Sequence, residues 1–119
     1  MRRKWHIQRT SDSLALSRRG EVVFDVSAQS VFPLCARGRL AQQIRQDLWR
    51  ALQDLRGFSP VILIEGQGAE LHVTAGGEVA AKTFPKPAIE AQISALLADP
   101  KLRARWLRHA AISADAVNA

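Results

Sequence analysis

The sequence predicts an α+β fold: a single domain over residues 1–111, built from two βββα units. Antiparallel sheet packs against two amphipathic helices, and a short C-terminal helix follows. Three observations predict this. Leu14–Val22 (LALSRRGEV) recurs as Leu71–Val79 (LHVTAGGEV), identical at four of nine positions. The offset of 57 also sets Trp5 on Ile62 and Ile7 on Ile64. Recurrence at one offset marks a duplicated unit, here residues 4–57 and 58–110. Apolar residues alternate through both copies as half-buried strands require, and each copy ends in a stretch of helical period.

Within the first unit, Trp5–Arg9 reads as a short strand with Trp5 and Ile7 on one face. Thr10–Ser13 is turn chemistry, because short polar side chains bond their own backbone. Leu14 and Leu16 continue the alternation. Ser17–Arg18–Arg19–Gly20 fits a hairpin loop with Gly20 left-handed, which returns the chain as a strand through Val22, Phe24 and Val26. Val31–Phe32–Pro33 either extends that strand or opens a loop. From Arg39 to Arg56, Leu40, Ile44, Leu48, Leu52 and Leu55 fall within about 120° of arc, the stripe of an amphipathic helix. Gly57 is its stop signal.

The second unit follows the same plan. Val61–Ile64 is a continuous apolar run, suited to a strand buried on both faces. Gly66–Gln67–Gly68 turns it. Leu71 and Val73 lead into Ala75–Gly76–Gly77, the counterpart of the Gly20 turn, and Val79 and Ala81 carry a third strand. If the two turns are equivalent, valine at Gly20 and at Gly77 should cost alike. Lys86–Ala98 is helical, with Ile89, Ile93, Leu96 and Leu97 on one stripe. Asp99–Pro100 reads as an N-cap with proline at the first helical position, opening a last helix to about Ala110. Residues 112–119 have little to anchor them and read as a flexible tail.

The net charge of +6 lies wholly in residues 1–57, which hold 11 basic and 5 acidic groups. The rest of the chain balances at 6 and 6, with Lys101, Arg103, Arg105 and Arg108 clustered near its end. Such asymmetry speaks to partners. On the first long helix, Arg45, Trp49 and Arg56 form a stripe beside the apolar face. On the last helix, Lys101, Arg105 and Arg108 lie within roughly 60° of one another, opposite Leu102 and Trp106. Arg–Trp stripes grip phosphates and stack bases; the same residues also occur as solvated helix faces whose tryptophans edge the core. The Arg2–Lys4 start adds a further basic segment.

Nothing forms a catalytic constellation. Cys35 precedes the first helix near Arg37 and Arg39, a setting that lowers a thiol pKa. It has no acid–base partner and reads as a small buried residue. His6, His72 and His109 lack metal-ligand spacing, and the glycines form no phosphate loop. No cofactor and no enzyme activity are expected. One cysteine and no apolar run of membrane-spanning length favour a cytoplasmic setting without a membrane.

Two readings follow. The preferred one is a small basic accessory protein that binds nucleic acid through helix faces bearing Arg45, Trp49, Arg56, Lys101, Arg105 and Arg108. The expected duplication is similar, in topology alone, to the whirly and Pur-type single-strand binders, with none of their motifs. The alternative is a protein-interaction module, a homodimer or a subunit of a complex, anchored by Trp49, Trp106 and the Val61–Ile64 strand. One continuous positive face joining Arg45, Arg56, Arg105 and Arg108 would favour nucleic acid; scattered charge would favour the module.

Overall fold

Polar turns and apolar alternation divide the chain into β1 (His6–Arg9), β2 (Ser13–Ser17), β3 (Val26–Pro33), α1 (Arg37–Leu52), β4 (Ser59–Gln67), β5 (Glu70–Glu78), α2 (Lys86–Ala98) and α3 (Pro100–His109). The computed structural model describes residues 5–67 and 69–111. The strands form one five-stranded sheet in the order β1-β2-β4-β5-β3, with every neighbouring pair antiparallel. The α+β class, the antiparallel sheet and the three helices are as the sequence predicts. The Arg2–Lys4 segment and the tail expected over 112–119 lie outside the described residues.

The first hairpin is local chemistry. Thr10 Oγ1 accepts the backbone N–H groups of Asp12 (3.2 Å) and Ser13 (3.0 Å), closing the turn between β1 and β2. Leu14 and Leu16 then point into the core at 0% exposure. β4 lies between β2 and β5, and its Val61, Ile62 and Ile64 are buried to 1% exposure or less, as an apolar run in a central strand should be. The helices cover one face. Leu40, Ile44, Leu48 and Leu52 of α1 and Ile89, Ile93 and Leu97 of α2 share a single core with the strands. Asp99 caps α3 as expected, its Oδ1 accepting from Lys101 N (2.9 Å) and Leu102 N (3.1 Å).

Three expectations are corrected. Gly20 does have a positive φ of 79°, and Ser17 Oγ accepts its N–H at 3.0 Å. The chain does not return beside β2, however, and residues 21–24 are not a strand. Asp25 N–H instead donates to Gly77 O (2.8 Å) and Asp25 Oδ2 accepts Val79 N–H (2.8 Å), which starts β3 on the far edge of β5. β2 pairs with β4, where Ile62 and Ile64 meet its leucines. Second, Ala75–Gly76–Gly77 is not a turn: β5 runs straight through it, and no strand follows over Val79–Ala81. The second half therefore reads ββαα, the element order does not repeat, and the topological likeness to duplicated single-strand binders goes with it. Third, α1 ends at Leu52 rather than Arg56. Two tight turns, Leu55 N–H to Leu52 O (3.0 Å) and Phe58 N–H to Leu55 O (3.1 Å), then carry the chain into β4.

β3 is a long edge strand, and such edges invite pairing with other chains. Part of its outward backbone is occupied. Glu90 Oε2 accepts Ser27 N–H (2.9 Å), Arg103 Nη2 donates to Val31 O (2.8 Å), and Pro33 has no N–H to offer. Arg103 also donates to Ser30 Oγ and Leu97 O, both at 3.0 Å, with its guanidinium 3.9 Å from the Phe32 ring centroid. On the helical wheel Arg103 falls between Trp106 and Leu107, where it either snorkels or faces a partner; the structure makes it a clamp between α3 and β3. Arg103→Ala should lower stability by about 2 kcal/mol, since hydrogen bonds to charged groups are the stronger kind. It should also raise light scattering on mild heating, because the edge is uncovered. An unchanged urea midpoint would show that the clamp is idle.

Candidate functional site

The two stripes expected on the helices do not form as drawn. Because α1 stops at Leu52, Arg56 leaves the Arg45–Trp49 line and borders a hollow with Ala80, Ala81, Lys82 and Thr83. On α3, Arg105 turns inward and pairs with Asp47 of α1. The same Asp47 Oδ2 accepts Trp106 Nε1–H at 2.6 Å, and its Oδ1 lies 3.4 Å from Arg50. Trp106 is completely buried, the core plug of the solvated-helix reading. Lys101 and Arg108 stay exposed and make no ion pair among the described residues. The four-arginine face joining Arg45, Arg56, Arg105 and Arg108 is absent, since one member is neutralised and another displaced.

A different set converges instead, where the β1 edge meets α1. The β1–β2 register pairs His6 with Ser17 and so brings Trp5 opposite Arg18. Arg45 reaches down from α1 onto the same indole. Its guanidinium carbon lies 4.5 Å from the Trp5 ring centroid, and that of Arg18 lies 5.9 Å away. Trp49, one helical turn beyond Arg45, and Pro60 at the start of β4 complete a hollow of about 130 Å³. Arg45 is half-buried and pairs with no carboxylate among the described residues; its Nε–H donates to Gln42 Oε1 at 2.9 Å. Burial pushes its pKa down from the usual arginine value, because a buried cation loses hydration.

Beyond Gln42 the surface opens into a wider groove of about 480 Å³, bordered by Ile7, Arg9, Gly38, Arg39, Gln42 and Gln43, with His109 at its α3 end. Glycine at 38 leaves room for the Arg9 guanidinium, whose Nη2 would sit 2.7 Å from a Cβ there. Gln42 borders the groove and holds Arg45, so groove and notch adjoin. Together they present Arg9, Arg18, Arg39 and Arg45, with no carboxylate among their described lining residues. Guanidiniums with indoles can hold phosphate oxygens and stack on planar groups.

The sequence pattern sets Trp5 on a strand face with Ile7 and Arg18 in a hairpin loop, and marks neither as part of a site. The available signal was the turn at Thr10–Ser13. A hairpin closed there pairs Arg9 with Leu14, and counting outward sets Trp5 opposite Arg18. Arg45 could not be placed on Trp5 without the helix-to-sheet docking. Cys35 is buried at 6% exposure and its thiol pKa is raised by burial, so the lowered value conceivable beside a helix start does not arise.

Among the described residues, no cluster of three or more His, Cys, Asp or Glu could hold a metal ion. No helix among them is long and apolar enough to cross a membrane. Comparison with protein-family models, with curated proteins and with solved structures finds no match, so the site is read from its geometry.

Proposed function

We propose that the protein is a nucleic-acid-binding accessory protein that holds a single strand along the face shared by β1 and α1, as a binder rather than an enzyme. The observation that carries this reading is the adjoining notch and groove: four arginines, two tryptophans and no carboxylate among the described lining residues. Arginines neutralise phosphates and release counterions, while indoles stack on bases whatever the sequence. Arg45 and Trp49 stay in the candidate set, joined by Trp5, Arg9, Arg18 and Arg39. Arg105 leaves it, because Asp47 already occupies its charge.

Binding of a labelled single strand should be detectable by anisotropy at low salt. It should weaken as salt rises, with a log–log slope of roughly −0.7 for each phosphate contacted. Arg39→Glu reverses an exposed charge in the groove and should weaken binding about tenfold or more. Arg108→Glu, on the far helix, serves as the control for net charge alone. Equal losses for the two variants would refute a localised face, and no binding at low salt would refute the reading.

The alternative, a protein-interaction module, draws support from the scattered Arg56, Lys101 and Arg108 and from apolar Val31 and Leu34, exposed by 44% and 59% near the β3 edge. Binding of a protein partner that persists at high salt would favour it.

A further inference from the structure

The notch differs from the groove in being small and doubly charged. Its volume of about 130 Å³ is roughly a quarter of the groove's 480 Å³. That suits a single terminal group better than a running length of chain. Two guanidiniums, Arg18 and Arg45, share the Trp5 ring within 5.9 Å of its centroid, and neither pairs with a carboxylate among the described residues. Among the described residues only Nε–H of Arg45 has an acceptor, Gln42 Oε1, which leaves its Nη groups for a ligand. Two like charges on one ring are balanced best by a ligand carrying two negative charges. A phosphodiester carries one; a phosphate monoester carries about 1.5 to 2 near neutral pH. Trp49, on the wall of the same hollow, supplies an indole for stacking. We propose that the notch binds a phosphate monoester attached to an aromatic base: the phosphorylated end of a nucleic-acid strand, whose remaining nucleotides lie in the adjoining groove. Arg18 and Arg45 hold the terminal phosphate, and Trp49 takes the base.

This inference rests on the strand-binding reading for its ligand's source, and the test separates the two. The full-length protein is titrated with one short single-stranded oligonucleotide in three forms: phosphorylated at one end, phosphorylated at the other, and hydroxyl at both. A nucleoside monophosphate and its unphosphorylated nucleoside are titrated in parallel. Tryptophan fluorescence is the readout; Trp106 is completely buried, so quenching reports Trp5 and Trp49. One phosphorylated form should bind about tenfold tighter than the hydroxyl form, the size expected of a charge-assisted contact. The ratio between the two forms should fall to one in Arg18→Ala and in Arg45→Gln. Arg18 makes no side-chain ion pair or hydrogen bond among the described residues, so its variant keeps the test sound if the Arg45 variant folds poorly. Equal affinity of all three oligonucleotides for the wild type overturns the terminal-phosphate site and leaves strand binding standing. Binding of the monophosphate but of no oligonucleotide overturns the strand as its source and keeps the monoester site. Binding of neither overturns both.

Discussion

Gly77→Val should destabilise the protein by about 2–6 kcal/mol, against about 1–2 kcal/mol for Gly20→Val. Both glycines have positive φ, 157° at Gly77 and 79° at Gly20, so backbone conformation alone does not separate them. Space does. A Cβ on Gly77 would run into the carbonyl oxygen of Ser59 on β4 and would also lie 3.1 Å from the Phe58 ring. On Gly20 the nearest atoms are those of the His6 side chain, at 3.7 Å and beyond, an ordinary contact on an exposed loop. The backbone of β4 cannot yield without giving up its pairing with β5, so a branched side chain at 77 breaks the central ladder. Thermal unfolding of the two variants measures the difference, and the Gly77 variant should melt lower by roughly 10 °C or more. Equal melting points would mean that residue 77 sits in a turn after all.

The unequal cost expresses what was legible in the sequence and what was not. Features that depend on neighbours in the chain were readable: the Thr10–Ser13 turn, the Leu40–Leu52 stripe, the Lys86–Ala98 helix, and the Asp99–Pro100 cap, whose predicted hydrogen bonds are present. Gly20 was correctly given a positive φ. What failed was the partner of each strand. LALSRRGEV and LHVTAGGEV both supply strand residues, yet they diverge at the glycine. Polar Arg18–Arg19 ends β2, whereas small Ala75–Gly76 lets β5 continue between two close backbones. A Cβ on Gly76 would strike the backbone of Val26 and Ser27 in β3, so the glycine pair admits neighbours on both sides of β5. Sequence periodicity reports which face of a strand is buried; it does not report which strand lies beside it.

The candidate site follows the same division. Helical spacing put Arg45 and Trp49 side by side on α1, and the structure keeps them on one hollow. Arg56 was drawn onto their line by a helix that ends one turn early, and Arg105 onto a solvated stripe by leaving out its acid. The charge that decides its position is Asp47, three residues before Arg50 on α1; that contact exists at 3.4 Å, and the stronger ones come from α3.

Removing that carboxylate should have a large effect of a different kind. Asp47 is the point where α3 docks on α1: its Oδ2 takes both the Arg105 guanidinium and the Trp106 indole N–H, and its side chain is 11% exposed. Asp47→Ala leaves a buried indole donor without a partner and a half-exposed guanidinium without an anion. The expected loss is about 2–4 kcal/mol, between that of an orphaned buried donor and that of a broken buried ion pair, because Arg105 retains access to water. Asp47→Asn should cost about half as much, since an amide oxygen still accepts one N–H while the charge is gone. A double-mutant cycle isolates the indole bond. Trp106→Phe keeps most of the ring packing against Phe32, whose centroid lies 6.2 Å from that of Trp106, but removes the donor. In that background Asp47→Ala no longer orphans an N–H and should cost about 1 kcal/mol less than in the wild type, a coupling of the size found for groups in direct contact. Urea denaturation of the four proteins measures it. If the two changes simply add, the indole bond contributes nothing and Asp47 acts on Arg105 alone. If they couple, α3 is held on α1 by a hydrogen bond from its buried tryptophan to the Asp47 carboxylate.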